Sequence, residues 1–393
     1  MLSKQLKLEN EVWNVDRCAG CGMCVAACSR GRLEFKPEMQ HPVFVHKIKT
    51  VGLSVVDVDT CSFCEGMCIE SCPRLKEWED REIYNVISAK STRDITSNHI
   101  NEIVIDLLSA GLLNGFIDAA LIMDINRWDG KPYSKVISSI EELYEVSGNQ
   151  KLWNPILSNL YHEILKNNFH QIAIVGPPCV AQAIRRVTES ELEGLSILRK
   201  SIGIVIGLFC SGYYETTLLE DLSSHLGVSP AEIISISCST QDEYLEIKLN
   251  TGKNVKFPLE GEQKYLRKGC ARCTDYIANM ADISIGQTGS QAGFASLIPW
   301  NAKGRSFLNN CINLRLLEIA EEADLNAISA ACSEKQRRKR TQAFDSLLIY
   351  SLESLTDENR LEEAKNRFMG LFNQEKNGKA KKIRGGCNGC SSC

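Results

Sequence analysis

The sequence predicts an α+β/α/β protein whose cysteine-rich N-terminal domain precedes a mixed-sheet α/β domain and a helical C-terminal region. Two short runs hold eight cysteines within the first eighty residues. Apolar segments of strand length then alternate with segments of helical period, which is typical of α/β domains. Beyond about residue 300 the helical period dominates. We therefore expect a domain over 1–82, another over 83–310, a helical region over 311–373 and a flexible tail over 374–393.

The composition narrows the class of protein. With 393 residues, 44% hydrophobic and 24% charged, the chain resembles an ordinary globular protein. Its net charge of −4 lacks the strong basic excess that is typical of nucleic-acid-binding proteins. The N-terminus has no apolar signal core, and the longest apolar run, residues 202–210, is too short to span a membrane. We expect a cytoplasmic protein, in which eighteen cysteines indicate metal or cluster binding rather than disulfides.

The two N-terminal cysteine runs have the spacing of cluster ligands. The first, from Cys18 to Cys28, reads C-x2-C-x2-C-x3-C; the second, from Cys61 to Pro73, reads C-x2-C-x3-C-x3-C-P. In two-cluster ferredoxins the fourth cysteine of a run ligates the other cluster. The pattern therefore predicts a ferredoxin-like domain with one 4Fe–4S cluster on Cys18, Cys21, Cys24 and Cys72 and a second on Cys28, Cys61, Cys64 and Cys68.

The alternative is a pair of zinc sites with four thiolate ligands each. Zinc commonly uses two separated C-x2-C knuckles, whereas three cysteines in one short loop suit a cubane better. Two details depart from the usual cluster motif. Ser29 stands where proline commonly follows the first run, and the second run has one extra residue between its second and third cysteines.

The middle of the chain has the pattern of an α/β domain. Residues 100–115 have their apolar side chains on one helical face and end near Gly115. Residues 244–257 alternate around a turn at Gly252, which predicts an antiparallel hairpin. Four short apolar runs are predicted strands, and they span residues 119–123, 172–175, 202–209 and 283–285.

Four cysteines of this domain predict a third cluster. Cys179 and Cys210 each follow an apolar strand, where the carboxyl ends of parallel strands build sites. Cys270 and Cys273 form a C-x2-C half-site that lacks two ligands. We predict that the two strand ends complete it as a 4Fe–4S site. Taken singly, each strand-end cysteine would be interpreted as a small core residue, as Cys238 is on its predicted strand.

Four ordered motifs carry a family resemblance. "IAIVGPPC", "IGLFC", "KGCARCTD" and "ADISIGQTGS" resemble the beta-subunit family of coenzyme F420 hydrogenases and dehydrogenases over residues 95–310. The preceding segment resembles the ferredoxin-fused members. The resemblance implies an oxidoreductase that holds FAD and a 4Fe–4S cluster and exchanges hydride with coenzyme F420. It matches the family's cluster cysteines to Cys179, Cys210, Cys270 and Cys273. It also implies partner subunits of hydrogenase, formate dehydrogenase or related electron-accepting type.

The flavin site predicted with this resemblance comprises Lys268, Asp282, Gly286, Gln287 and Gly289. Gly286 and Gly289 lie in a turn where backbone N–H groups can approach a cofactor closely. The family usually has aspartate in place of Gln287. Its glycine pair before the first helix is absent, and His99 and Asn101 stand in that region. None of the six histidines lies in a recognisable catalytic constellation, so no acid–base residue is predicted.

The C-terminal region offers weaker signals. The basic run at 335–340 is interpreted as a solvated helix face rather than as a nucleic-acid contact. Residues 374–386 read as a flexible basic linker. The chain ends with three thiols in cubane spacing, Cys387, Cys390 and Cys393. They could form a fourth cluster with Cys311, Cys332 or a partner chain, act as a redox-active or transient metal-binding tail, or have no site.

These observations predict an iron–sulfur flavoprotein that serves as an electron-transfer subunit. It would pass electrons between reduced coenzyme F420, through FAD, and one-electron carriers or a partner oxidoreductase. Three alternatives stay open. The first is a ferredoxin-dependent reductase of another organic substrate. The second is an iron–sulfur relay without flavin. The third is a zinc-dependent nucleic-acid binder.

Overall fold

The structure is a computed structural model. It describes residues 4–36, 39–45, 48–51, 54–57, 61, 64–93, 99–146, 151–238, 244–258, 264–320 and 323–338. The chain divides into two compact units, Met1–Gln336 and Arg337–Cys393, and every helix and strand named here begins in the first. Within the described ranges no helix is both long and apolar enough to cross a membrane.

The N-terminal segment consists of short elements around a small core. Leu8, Val12, Trp13 and Leu33 pack there with Cys24 and Cys72. Strands β1 and β2 form one antiparallel hairpin, and β3 and β4 form another. The elements are α1 (Lys4–Leu8), a π-helical turn (Glu9–Trp13), α2 (Met23–Ala26), β1 (Leu33–Glu34), β2 (Val43–Phe44), β3 (Ile48–Val51), β4 (Ser54–Asp57), α3 (Met67–Glu70) and a 3-10 turn (Pro73–Leu75).

The larger part of the chain has eleven further strands and, besides a helix at residues 325–338, eight further helices among the described residues. The strands are β5 (Ile87–Ser91), β6 (Ala119–Ile125), β7 (Pro132–Ile137), β8 (Ile172–Gly176), β9 (Ile202–Leu208), β10 (Ile233–Cys238), β11 (Tyr244–Leu249), β12 (Asn254–Pro258), β13 (Ile283–Gly286), β14 (Ala295–Pro299) and β15 (Leu317–Ile319). The helices are α4 (His99–Leu113), α5 (Ile140–Tyr144), α6 (Leu160–Asn167), α7 (Pro178–Glu189), α8 (Ser196–Ser201), α9 (Thr217–Leu226), α10 (Lys268–Ala271) and α11 (Ala302–Asn313).

An eight-stranded mixed sheet organises this part, in the order β15-β5-β14-β13-β9-β8-β6-β7. The central strands β6, β8, β9 and β13 run parallel, whereas β7 and β14 are antiparallel to their neighbours. Every residue of these four central strands is buried, as expected for a parallel sheet that is covered on both faces. One core packs α6 and α7 against the sheet, and a second packs α4 and α11 against it. The prediction of a mixed-sheet α/β domain is confirmed.

A smaller antiparallel sheet, β10-β11-β12, packs with α9 around a separate core. Leu245 pairs with Phe257 and Ile247 with Val255, which is the hairpin predicted from the alternating residues. Cys238 ends β10, in the strand position that its alternation with isoleucines predicts.

The C-terminal region is only partly helical. Residues 325–338 form a helix, as does α11 before them. Between them, Leu317–Ile319 is strand β15, which pairs with β5 at the sheet edge, so the helical prediction is wrong there. The reason is tertiary: Leu317 is buried against the sheet, and pairing with β5 outweighs a helical period that the local sequence permits. The part of the predicted helical region beyond residue 338 and the tail cysteines lie outside the described residues.

Candidate functional site

The first cysteine set, Cys18, Cys21, Cys24 and Cys72, lines a single cavity. Leu8, Val12 and Trp13 close one side of this cavity. Burial and then the charge of Cys72 raise the pKa of the Cys21 thiol to about 12. Four thiols at one buried position suit a positively charged metal core, because such a core stabilises the thiolate form that burial alone opposes.

The two cysteine runs share a local geometry that explains the extra residue of the second run. Gly22 and Gly66 both have a left-handed backbone, with φ of 88° and 87°. Each glycine immediately precedes a four-residue helix that begins with Met-Cys. The third cysteine of each run therefore lies in the first turn of that helix. Glu65 is therefore accommodated before the glycine, and the helix that carries Cys68 matches the one that carries Cys24.

The second set is Cys28, Cys61, Cys64 and Cys68. Burial and the charges of Cys28, Cys64 and Cys61 raise the pKa of Cys68 to about 12, so the fourth cysteine of the first run lies beside the second run. Cys24 lies close enough to Cys68 for the charge of Cys68 to raise the pKa of Cys24, so the first and second sets are neighbours. The structure thus groups these eight residues as the spacing predicts, and cluster binding itself stays a prediction.

The third set, Cys179, Cys210, Cys270 and Cys273, lines a second cavity. Cys179 lies in the first turn of α7, directly after β8, and Cys210 follows β9. Cys270 lies on α10, and its carbonyl accepts a hydrogen bond from the N–H of Cys273. The half-site at 270–273 therefore meets both strand ends, as the sequence predicts.

Two cations at the third set were missed by the sequence reasoning. Lys335 is only 3% exposed, and its Nζ donates to the carbonyl oxygens of Cys210 and Asp275, both at 2.6 Å. Arg74, which follows Cys72 and Pro73, lines this cavity and hydrogen-bonds Cys273. The interpretation of the run at 335–340 as a solvated face is wrong for Lys335. No local signal marks Lys335, whereas Arg74 is adjacent to a predicted ligand.

The cavities of the first and third sets share a wall. Ala19, Gly20, Cys21 and Arg74 line both. Across this wall α10 packs very tightly: a Cβ atom on Gly269 would lie 1.9 Å from the carbonyl oxygen of Cys18. The glycine of the "KGC" motif therefore allows the backbone that carries Cys270 to approach the loop that carries Cys18.

A buried stack fixes the same contact. Arg267 has a fully buried side chain whose guanidinium lies 3.7 Å from the ring centroid of Trp153. Trp153 donates to the carbonyl of Gly20 at 3.0 Å, and Arg267 donates to the carbonyl of Gln40. Arg267 also pairs with Glu215 at 3.0 Å. The stack thereby joins the loop of the first set to the α/β domain.

An apolar cleft adjoins the third set. It lies at the carboxyl ends of β6, β8 and β9, where α/β proteins commonly bind ligands. Met123, Ile156 and Tyr213 line both the cleft and the cavity of the third set. Asn101 is a polar member of the lining, which also includes Val104, Ile105, Leu108, Ile122, Val146, Val175, Gly176 and Leu208.

The structure does not bring the five predicted flavin residues into this cleft. Lys268 is exposed and pairs with Asp16 at 3.3 Å. The carboxylate of Asp282 accepts from the N–H of Val205 at 2.8 Å and from Asn301 at 2.7 Å. A Cβ on Gly286 would overlap the ring of Phe209, and one on Gly289 would approach Ile328; Gln287 is exposed. Their role at a flavin stays a prediction.

The remaining described cysteines lie apart from the three sets. Cys311 is buried on α11, and Cys332 packs with Ile277 and Ile328 in another core. Throughout the part of the chain that the structure describes, no three cysteine, histidine or acidic side chains are placed to hold a single metal ion. The cysteines of the first and third sets instead surround cavities, which suits a polynuclear centre better than one zinc ion.

Comparisons with known proteins agree with this architecture. Residues 169–324 match the family described as the C terminus of the beta subunit of coenzyme F420 hydrogenase/dehydrogenase. An uncharacterized protein of Methanocaldococcus jannaschii is 27% identical over 364 residues, which cover 86% of this chain and 98% of that protein. The F(420)H(2) dehydrogenase of Methanosarcina mazei has an F subunit that is 27% identical over 298 residues, covering 73% of this chain and 80% of the relative.

A solved structure shows the same fold. One chain of the F420-reducing [NiFe] hydrogenase complex from Methanosarcina barkeri superposes with a TM-score of 0.60 at 20% identity, covering 67% of this chain and 92% of that one. Family members are named as subunits of hydrogenases and dehydrogenases, which are oxidoreductases. Residues 169–324 of the chain thus match the family of coenzyme F420 hydrogenase and dehydrogenase beta subunits, and the relatives to which the chain is similar are oxidoreductases of that type.

Proposed function

We propose that the chain is an iron–sulfur flavoprotein subunit that transfers electrons between reduced coenzyme F420 and one-electron carriers or a partner oxidoreductase. One observation carries this proposal: the third cysteine set lies between the apolar cleft and the first set, and it shares lining residues with both. A continuous series of cavities therefore leads from the cleft, which would hold the organic cofactor, to the N-terminal cysteines.

The residues of each site fit the groups proposed for them. Each of the three cysteine sets would hold a 4Fe–4S cluster, the first two in a domain over residues 1–82. The apolar cleft would hold the flavin ring against Met123 and Tyr213. When bound, FAD accepts a hydride as two electrons and releases them singly, and the clusters carry one electron each.

The chain itself holds the first and third sets together and buries five of their eight cysteines. The stack of Arg267 on Trp153 and the close approach at Gly269 fix the first set against the third. Cys210 and Cys273 are buried, as are Cys21, Cys24 and Cys72. Exclusion of water limits the solvent reorganisation that accompanies each electron transfer.

Electrons must leave the chain to another protein, and the second set is the best candidate exit. All four of its cysteines are partly exposed, whereas three of the four in the first set are buried. We propose a hydrogenase, a formate dehydrogenase or a related electron-accepting subunit as the partner. Relatives named as F420 hydrogenase and formate dehydrogenase beta subunits support this class of partner.

Anaerobic purification followed by titration with reduced F420 tests the proposal. Iron, zinc and flavin are quantified per chain, and flavin and cluster absorbance is followed during the titration. About twelve irons, one FAD and bleaching by F420 are expected. A zinc-loaded, colourless protein would refute the proposal, and iron without flavin would leave a relay subunit only.

A ferredoxin-dependent reductase of another organic substrate is the second candidate. Asn101 favours it, because this amide introduces polarity into an otherwise apolar cleft in the region where the family usually has small residues. In that case the N-terminal sites would receive electrons, and the cleft would bind the substrate beside the flavin. Bound flavin that reduced ferredoxin bleaches and reduced F420 does not would favour this candidate.

A further inference from the structure

Lys335 places a buried positive charge against the third cysteine set. Its Nζ is bonded to two backbone carbonyls, of Cys210 and Asp275, and those bonds do not neutralise it. The carboxylate of Asp275 is a counter-charge near Lys335, and it accepts from the N–H of Ala278 and from Gln182, each at 2.9 Å. Lys335 lines the cavity of the third set, however, whereas Asp275 is not among its lining residues, so the cavity is bordered by the cation.

Arg74 places a second positive charge between the third and first sets. It lines both cavities and hydrogen-bonds Cys273. Two cationic side chains, Lys335 and Arg74, therefore line the cavity of the third set, and one of them also lines the cavity of the first.

A cluster held by four thiolates becomes more negative by one charge when it is reduced, so fixed cations beside it favour the reduced form. We propose that Lys335 and Arg74 raise the reduction potential of the third site above that of the first. This inference rests on the proposed function, since it requires a cluster at each set. It makes a single electron shared between these two sites favour the third.

The surroundings of the first set support this order. Arg74 lines the cavity of the first set as well, so that set has part of the same positive field, whereas Lys335 lines the cavity of the third set and not that of the first. We therefore expect a higher reduction potential at the third set than at the first.

An anaerobic redox titration of the full chain, followed by electron paramagnetic resonance, tests this inference with three variants. Lys335→Met removes the buried charge at similar length, and Arg74→Gln removes the shared one. Lys76→Met is the matched control, because it removes a charge two residues from Arg74 that is partly exposed and paired with Glu189 at 2.9 Å. Iron per chain is measured for every variant, and Lys335→Arg tests rescue by a retained charge.

Lys335→Met is expected to shift one of three reduction waves at least tenfold toward the oxidised form, about 59 mV for a one-electron couple. Arg74→Gln should shift that wave and a second one, and Lys76→Met should shift none. Three waves that Lys335→Met and Arg74→Gln leave unmoved would overturn the inference alone. A wild-type chain with about eight irons and two waves would overturn the third site and the proposed function with it. If Lys335→Met loses iron, the test rests on Arg74→Gln, because a shift of two reduction waves together is expected only for a charge that two sets share.

Discussion

Removing the Arg267 guanidinium should destabilise the chain far more than removing an exposed arginine. In Arg267→Met the apolar stem is preserved, while the pair with Glu215 at 3.0 Å, the stack on Trp153 and the bond to Gln40 are lost. The Arg267 side chain is fully buried and Glu215 is 17% exposed, so an uncompensated carboxylate would remain. Breaking a buried ion pair in this way costs about 3–5 kcal/mol.

The loss of stability in Arg267→Met should grow as the pH rises. Burial raises the pKa of Glu215, and Arg267 lowers it, so the pKa rises further in the variant. A carboxyl whose pKa is higher in the folded state binds its proton more tightly there. The variant should therefore lose stability as pH rises from the unfolded pKa, about 4.3, through the folded value. The difference from wild type should be larger at pH 8 than at pH 5.

The assay is thermal unfolding of the anaerobic protein at both pH values, at fixed protein concentration and heating rate. The expected fall in Tm is at least about 6 °C, taking about 2 °C per kcal/mol for a large domain. The double variant Arg267→Met/Glu215→Gln should recover much of the loss. Arg185→Met is the control, since its exposed pair with Glu189 contributes at most about 1 kcal/mol. Equal effects of Arg267→Met and Arg185→Met would refute the reasoning.

Three further predictions concern the sites. Gly269→Ala should lower the stability of the chain by about 1–3 kcal/mol or more and reduce the iron bound per chain, because the added Cβ would lie 1.9 Å from the carbonyl oxygen of Cys18. Unchanged iron content and Tm would contradict the close approach. Cys210→Ser should lose about four irons, while the buried Cys311→Ser, outside every set, should lose none; equal iron in both would argue against a third cluster. Val104→Phe should weaken flavin binding about tenfold at constant iron, because the larger side chain narrows the cleft and overpacking costs about 1–3 kcal/mol. Undiminished flavin binding would place the ring elsewhere.

Much of the fold could be predicted because its signals are local. The buried strands β8 and β9 are continuous apolar runs, as is β6 up to Asp124, and helix α4 has a clear apolar face. The prediction was wrong at Leu317–Ile319, where the local pattern permits a helix and only the free edge of β5 selects a strand. The five predicted flavin residues lie in two sequence motifs, but in the structure each contacts different neighbours and none lines the cleft. Closeness in sequence does not decide which cavity a side chain faces.

The sequence by itself predicted cluster chemistry for this protein, because cysteine spacing within one loop is a local property that sets which thiolates can share a cluster. It also marked Cys270 and Cys273 as an incomplete pair. Only the tertiary structure decided what surrounds that pair: Lys335 reaches Cys210 from a helix more than a hundred residues further along the chain, and Arg74 lies between two cavities. Electrostatic influence depends on distance in space and on burial, and neither is encoded in the spacing of a motif.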